Sequence, residues 1–182
     1  FKEALEEIKP RGKFSIQIFA TDLDRDAIEK ARLGIFSANI GADISEARLK
    51  RFFTNEEHGY RVRKEIREMV IFAPQNLIMD PPFTKMDIFS CRNLLIYLTT
   101  EVQRKLIPLF HYSLTPGGIL FLGSAETVGE FTHFFAPLNA KSRLFRRTES
   151  LLRPEQIVFP SSFTAGPPVI SAASPATNPP AS

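Results

Sequence analysis

Short apolar segments alternate with helix-like segments along this chain, and that alternation limits the folds it can adopt. The apolar segments "KFSIQIFATDL" (13–23), "KMDIFSC" (85–91) and "ILFLG" (119–123) have the length and composition of buried strands. Segments 24–34 and 100–114, which lie between them, have the punctuation of helices. Because parallel neighbours need a long crossover connection, strands separated by helices predict an α/β fold with a mainly parallel sheet.

Capping and turn residues predict several element boundaries. Asp24 is a suitable N-cap for the first of these helices, and Gly34 is a suitable residue to end it. Thr100 and Gln103 have the spacing of a capping box at the start of the second helix. "TPGG" (115–118) predicts a turn before the strand that follows it. Further elements are predicted as a helix at 45–53, a strand at 69–73 and a terminal antiparallel hairpin at 134–147.

The composition is that of a globular protein and argues against several classes. The chain has 182 residues, of which 43% are hydrophobic and 24% are charged. A net charge of +3 is too small for a dedicated nucleic-acid binder, which should show a basic stripe. The single cysteine, Cys91, and three scattered histidines predict neither disulfides nor a metal site. Since no apolar run approaches the ~20 residues of a membrane helix, we expect a cytoplasmic protein without membrane insertion.

The composition changes near residue 150. From Pro154 onward the chain holds seven of its fourteen prolines and one charged residue, Glu155. Such a Pro/Ala/Ser-rich segment cannot bury enough apolar surface to fold by itself. We therefore predict a folded domain at 1–150 and a disordered linker at 151–182. A first residue Phe1 and a terminal linker lead us to expect neighbouring domains of a longer chain.

Polar side chains stand where three predicted strands end. Asp22 lies at the end of the first strand, Asn76 follows the strand at 69–73, and Asn93 follows the strand at 85–91. Ligands of open α/β sheets bind at the carboxyl ends of strands, where an acid can hold ribose hydroxyls and amides can meet a base. Helix capping for the acid and turn chemistry for the two asparagines are the alternatives.

Four segments together resemble a known family. They are "IFATDLDRDAIEKARLGIF", "VIFAPQNL", "MDIFSCRNLLIYL" and "LTPGGILFLGSAE", and the resemblance runs from about Phe14 to Arg147. These segments are similar to those of the CheR-type chemotaxis methyltransferases. The resemblance implies a Rossmann-like methyltransferase sheet, S-adenosylmethionine as cofactor, and methylation of glutamate side chains on chemoreceptors or related sensory proteins in signal transduction.

The resemblance also implies cofactor-binding residues. Asp22 would hold the ribose hydroxyls of the cofactor. Asn76 and Leu77 would meet its adenine, and Asn93 and Leu94 would line the pocket near its sulfonium.

Arg92 and Tyr97 are the catalytic residues that the resemblance implies, near the transferring methyl group or the incoming glutamate. A buried cation at position 92 could steer the substrate carboxylate, and the Tyr97 hydroxyl could orient it. The alternative for Tyr97 is simple packing on the helix that begins near Thr100. Residues 45–68 correspond to a small β-subdomain that docks a receptor tail in some members of the family.

The four segments do not include the family's first strand or the glycine-rich loop that follows it. The strand at 13–23 corresponds to the second strand of the family's sheet, whose order is 3-2-1-4-5-7-6, and Gly12 stands without the glycine-rich loop that follows the first strand. Because strand 1 lies between strands 2 and 4, we expect the sheet to be divided at its centre. We also expect this chain by itself to bind the cofactor weakly and to be inactive.

Two other functions remain as alternatives. One is an amino-methyltransferase that uses "DPPF" (80–83), a tetrapeptide that in such enzymes follows the fourth strand. Here the tetrapeptide precedes the strand at 85–91, which argues against it. The other is a non-catalytic sensory module that retains the methyltransferase fold for partner binding.

Overall fold

The computed structural model describes residues 1–139 and 141–149. The chain divides into two compact units, of which the first is Phe1–Asn76 and the second begins at Leu77. The predicted linker at 151–182 lies outside the described residues, and the predicted domain at 1–150 stays a prediction.

A two-stranded parallel sheet lies at the centre of the first unit. Strand β1 (Ile18–Asp22) pairs with strand β5 (Val70–Pro74), with Ile18 opposite Val70 and Asp22 opposite Pro74. The strand begins five residues later than the predicted segment 13–23. Its carboxyl end, which carries Asp22, is as predicted.

Helix α2 (Arg25–Leu33) follows β1 and confirms both predicted boundaries. The Asp24 carboxylate accepts hydrogen bonds from the backbone N–H groups of Asp26 and Ala27. Gly34 ends the helix with φ 62°, a left-handed conformation that costs glycine little.

A small antiparallel sheet forms the rest of the first unit. Its strands are β2 (Ile35–Phe36), β3 (Phe53–Glu56) and β4 (Gly59–Val62), arranged in the order β2-β4-β3. Strands β3 and β4 lie within residues 45–68, the segment that the family resemblance assigned to a β-subdomain. The helices of this unit besides α2 are α1 (Lys2–Ile8), α3 (Glu46–Phe52), α4 (Lys64–Arg67) and a 3-10 helix at Ala38–Ala42.

A four-stranded mixed sheet forms the second unit. Strand β6 (Met86–Cys91) runs parallel to β7 (Leu114–Leu122), while β8 (Phe135–Asn139) and β9 (Leu144–Arg147) form the predicted antiparallel hairpin. The strand order is β6-β7-β9-β8. That order matches the 4-5-7-6 half of the expected sheet, and the β1–β5 pair matches the 2-3 half.

The predicted turn at 115–118 is wrong, because these residues belong to β7. Met86 pairs with Leu114, and the next pair joins Ile88 to Ile119, so a bulge holds the extra residues of β7. Gly117 has φ 74° within this bulge. The Pro-Gly-Gly sequence therefore produces an irregular strand rather than a chain reversal.

Helix α5 (Thr100–Ser113) covers the four-stranded sheet. Phe110 packs on Phe89 of β6 with ring centroids 4.7 Å apart. The predicted capping box is wrong, because Thr99 occupies the N-cap and the Gln103 amide instead donates to backbone carbonyls of the preceding segment. The most deeply buried apolar side chains of this unit are Leu95, Leu106, Phe110, Leu114, Leu120, Leu122 and Phe135.

His111 is a polar side chain within this core. Its residue is 1% exposed, and its ring packs against Phe134 and Phe135. Nε2 donates to the carbonyl of Thr148 at 3.0 Å, since a carbonyl can only accept, while Nδ1 has no partner among residues 1–139 and 141–149. Burial is the main cause that lowers the pKa of His111, and the neighbouring charge of Arg147 lowers it further.

The lowered pKa of His111 predicts a loss of stability in mild acid. The unfolded chain takes up a proton near the ordinary value of about 6.5, before the folded chain does, so stability falls as the pH drops below that value. We expect the free energy of unfolding, measured by urea denaturation, to decrease from pH 7.5 to 5.5. His111→Gln should flatten this decrease, whereas the control His58→Gln should leave it unchanged. An equal slope in all three proteins would contradict the assignment.

Candidate active site

Asp22 marks the carboxyl end of the parallel sheet in the first unit. One of its carboxylate oxygens accepts a hydrogen bond from the backbone N–H of Asp24 at 2.9 Å. The backbone N–H of Gln75 donates to the Asp22 carbonyl, also at 2.9 Å, so the segment that leads to Asn76 lies beside Asp22. Asp22 is exposed. A carboxylate has about four acceptor positions, so Asp22 can also accept hydrogen bonds from hydroxyl groups.

In the second unit, the residues after β6 form a tight turn. Cys91 is the last residue of the strand, and a 3-10 helix at Leu95–Tyr97 begins four residues later. Asn93 lies between them with φ 60°, a left-handed conformation in which asparagine is enriched among non-glycine residues. The turn therefore brings Arg92, Asn93 and Leu94 to the carboxyl end of the strand.

The Glu126 carboxylate holds this turn. Its Oε1 accepts hydrogen bonds from the backbone N–H groups of Leu94 at 2.8 Å and Leu95 at 2.7 Å. Its Oε2 accepts from those of Asn93 at 3.0 Å and Gly123 at 2.6 Å. We call this carboxylate and its four N–H donors the Glu126 network. Because Gly123 follows β7, the network connects the carboxyl ends of two neighbouring parallel strands.

Glu126 is charged inside the protein. The residue is 3% exposed. Burial acts to raise its pKa, but the hydrogen bonds from the four backbone N–H groups outweigh burial and hold the pKa below the ordinary value. The same environment has the opposite effect on Cys91, because burial and the Glu126 charge raise the pKa of the thiol to about 12. Cys91 is therefore a neutral packing residue rather than a nucleophile.

Gly123 is required by the close approach of the two loops. A Cβ atom at this position would lie 2.6 Å from the Asn93 Oδ1, 2.6 Å from the Glu126 Oε2 and 2.9 Å from the Asn93 backbone nitrogen. The Asn93 amide therefore lies directly over Gly123. Arg143 adds a further contact to this loop, since its Nε donates to the Ser124 carbonyl at 3.0 Å.

Arg92 and Tyr97 lie on the surface beside the turn. The Arg92 guanidinium lies 4.7 Å from the centroid of the Phe121 ring, a cation–π contact that holds an exposed side chain. The expectation of a buried cation at position 92 is therefore wrong. Tyr97 is 79% exposed, which also rules out the alternative that its ring packs on the helix that begins at Thr100.

The predicted site residues fall in both units. The second unit brings together Arg92, Asn93, Leu94 and Tyr97, and it also begins with Leu77, which packs on its core. Asp22 and Asn76 lie in the first unit. Glu126, to which the turn is attached, was missed from the sequence. Its signal was an acid three residues after a glycine at the end of a buried strand, in "LGSAE".

A family model matches most of the chain. The model is described as "CheR methyltransferase, SAM binding domain", and it covers residues 3–144. The chain belongs to this family. S-adenosylmethionine is therefore the cofactor of this CheR domain. The family resemblance and the Rossmann-like fold class predicted from the sequence are confirmed.

Curated relatives agree with the family. An "uncharacterized 104.1 kDa protein in hypE 3'region" of Rhodobacter capsulatus is 42% identical over 132 residues, which are 72% of this chain and 14% of that protein. Chemotaxis protein methyltransferase 2 of Vibrio cholerae is 32% identical over 84% of this chain and 52% of its own. Chemotaxis protein methyltransferase 1 of Pseudomonas aeruginosa is 32% identical over 75% and 51%. The chain thus spans about half the length of these two methyltransferases.

Neither a metal site nor a membrane-spanning helix is found among the described residues. Within 1–139 and 141–149, no three His, Cys, Asp or Glu side chains are grouped so that they could bind a metal ion. In the same ranges, no helix has both the length and the apolar character needed to span a membrane.

Each unit by itself offers side chains whose chemistry fits a part of S-adenosylmethionine. The exposed Asp22 carboxylate at a strand end is an acceptor suited to the two ribose hydroxyls. The Asn93 amide beside the half-buried Leu94 offers polar and apolar contacts at the end of β6.

Replacing Gly123 should disturb the Glu126 network. We expect Gly123→Ala to lower the free energy of unfolding by about 1–3 kcal/mol, because the added methyl group overlaps three polar atoms that must move apart. Urea denaturation measures this. Gly41→Ala is the control, since a methyl group there meets only a Leu49 carbon at 3.9 Å. Equal stability of the Gly123→Ala variant and the wild type would show that the two loops are not tightly packed.

Proposed function

We propose that this chain is the cofactor-binding domain of a methyltransferase that esterifies glutamate side chains on chemoreceptors or related sensory proteins. The observation that carries the proposal is the turn Arg92–Leu94, held at the carboxyl end of β6 by the Glu126 network in a CheR domain. The names of the relatives from Vibrio cholerae and Pseudomonas aeruginosa support the chemotaxis context. A cytoplasmic location and neighbouring domains stay predictions.

Five residues bind the cofactor in this proposal. Asp22 accepts hydrogen bonds from the ribose hydroxyls, in keeping with its exposed carboxylate at a strand end. Asn76 and Leu77 contact the adenine. Asn93 and Leu94 lie near the sulfonium, which is supported by their position in the turn at the carboxyl end of β6.

Methyl transfer to a carboxylate requires alignment of the two reactants more than it requires proton transfer. S-adenosylmethionine supplies an electrophilic methyl group on a positively charged sulfur. A glutamate carboxylate is ionised near neutral pH, so it can accept the methyl group without a general base. The residues of this domain therefore have to orient the carboxylate and remove water from it.

Arg92 and Tyr97 are the side chains that orient the substrate in this proposal. Arg92 is exposed and held over Phe121, so its guanidinium can meet an incoming carboxylate without first being desolvated in a core. Tyr97 presents its hydroxyl from the neighbouring 3-10 helix, where it is largely exposed. Both side chains can therefore reach a large substrate such as a receptor helix.

The two alternatives receive less support. The tetrapeptide at 80–83 precedes β6 in the structure, whereas an amine-binding motif of this kind follows its strand. The names of the methyltransferase relatives favour an enzyme over a non-catalytic module. The experiments below distinguish it from an enzyme.

The first experiment tests the cofactor site. In the full-length protein, we expect Asp22→Asn to weaken S-adenosylmethionine binding about 10-fold, because hydrogen bonds to a charged acceptor contribute about 1.5–3 kcal/mol. Isothermal titration calorimetry measures the affinity. The control is Asp43→Asn, which changes another exposed aspartate of the same unit. Equal losses in both variants would contradict the assigned role of Asp22.

The same titration applied to residues 1–182 tests the expectation that this chain by itself binds the cofactor weakly. A micromolar dissociation constant would contradict that expectation.

The second experiment tests the substrate side. We expect Arg92→Ala and Tyr97→Phe to reduce methyl transfer to receptor glutamates by about 10-fold or more, since misplaced reactants lose rate steeply. Transfer of a labelled methyl group to a chemoreceptor fragment measures the rate. Arg104→Ala and Tyr112→Phe are matched controls on α5. If methylation and cofactor affinity are unchanged in the Arg92 and Tyr97 variants, their assignment is wrong. No methylation by the wild-type protein would favour the non-catalytic module.

A further inference from the structure

Glu126 is fully engaged with backbone groups. Its two oxygens accept four hydrogen bonds, a number that matches the acceptor capacity of a carboxylate. A carboxylate in this state has no capacity left for a cofactor or substrate. Any influence of Glu126 on the proposed reaction therefore passes through the residues whose N–H groups it holds.

Those residues carry the predicted site. Asn93 and Leu94 donate to Glu126 directly. The 3-10 helix that contains Tyr97 begins at the same place, where the backbone N–H of Tyr97 donates to the Leu94 carbonyl at 3.0 Å. Arg92 adjoins Asn93 in the chain. One carboxylate therefore connects to every site residue of the turn.

The conformation of Asn93 depends on this attachment. A positive φ is uncommon outside glycine, and the network holds Asn93 at φ 60° by its backbone N–H. In that conformation the Asn93 amide lies over Gly123, whose own N–H donates to the same carboxylate. The position of the amide is thus determined jointly by Glu126 and by the absence of a side chain at Gly123.

We propose that Glu126 is a positioning residue for methyl transfer: by holding the turn after β6 against the loop after β7, it sets where the Asn93 amide, Arg92 and Tyr97 stand. This proposal rests on the proposed function, because it assigns a role to the same site. It adds a residue that touches neither substrate nor cofactor and on which both the binding and the reaction depend.

The charge and the length of Glu126 are both required. Glu126→Gln keeps the shape of the side chain but turns an N–H₂ group toward backbone N–H donors, so two of the four hydrogen bonds are lost. Glu126→Asp keeps the charge but shortens the side chain by one methylene, so it cannot reach all four donors. We expect glutamine to disturb the turn more than aspartate does.

The test separates positioning from a role in stability alone. Both variants of Glu126 are made in the full-length protein, and circular dichroism identifies a temperature at which each is folded. At that temperature we expect Glu126→Gln to raise the dissociation constant of S-adenosylmethionine about 10-fold and to lower kcat as well. Phe135→Leu is the control, because it removes core packing in β8, the strand furthest from β6 in the sheet. It should lower Tm without changing the cofactor affinity of the folded protein.

A double-mutant cycle tests whether Glu126 acts through Asn93. Asn93→Gly keeps the left-handed backbone and removes the amide, so it weakens cofactor binding by itself. If Glu126 positions that amide, Glu126→Gln should cost several-fold less affinity in the Asn93→Gly background than in the wild type. The effects on Tm are free to add, because Glu126→Gln loses the same two hydrogen bonds from backbone N–H groups in both backgrounds.

Several results would contradict the positioning role of Glu126. Folded Glu126→Gln protein with wild-type affinity and kcat, or affinity losses that simply add in the cycle, would overturn the positioning role while leaving the proposed function intact. If the wild-type full-length protein binds no S-adenosylmethionine, the proposed function fails and the positioning role fails with it. Should Glu126→Gln not fold, Glu126→Asp takes its place in the same measurements and the same cycle.

Discussion

The buried carboxylate of Glu126 is the interaction on which the arrangement of the second unit depends. Removing a charge from water costs several kcal/mol, and an unpaired charge would not be tolerated at 3% exposure. Four backbone N–H groups compensate that cost, and they hold the pKa of Glu126 below its ordinary value. Because these donors come from the loops after β6 and β7, neither loop can move without breaking hydrogen bonds in a buried site.

The hydrogen bonds of Glu126 also affect residues at the protein surface. Leu95 is buried beneath the turn, while its neighbours Arg92 and Tyr97 are exposed. Gln103 supports the same segment by donating to the Leu95 and Leu98 carbonyls. The exposed side chains of Arg92 and Tyr97, which orient the substrate in the proposed function, thus stand on a backbone held by both Glu126 and Gln103. The backbone beneath surface side chains is usually held less firmly. A reaction that depends on the alignment of its reactants requires such a fixed backbone.

Local chemistry explains which features were predicted correctly. Asp24 and Gly34 bound α2 through contacts within a few residues, so capping rules located both ends of the helix. The hairpin of β8 and β9 likewise depends on a short connection. The errors arose where a partner outside the local motif decides the conformation. The segment 115–118 was expected to turn but forms a bulge within β7, and Gln103 was expected to cap its own helix but binds carbonyls before it.

The fold class, the polar residues at the strand ends and the family of the chain could all be predicted from the amino-acid sequence. These follow from the spacing of apolar segments, from the residues that directly follow each strand and from motifs that are contiguous along the chain. The exposure of Arg92 over Phe121 and the attachment of the turn to Glu126 depend instead on how distant segments fold together. Glu126 lies more than 30 residues from Asn93, Leu94 and Leu95 in the sequence. Their meeting depends on the parallel pairing of β6 with β7, which brings two strand ends together and which no local pattern specifies.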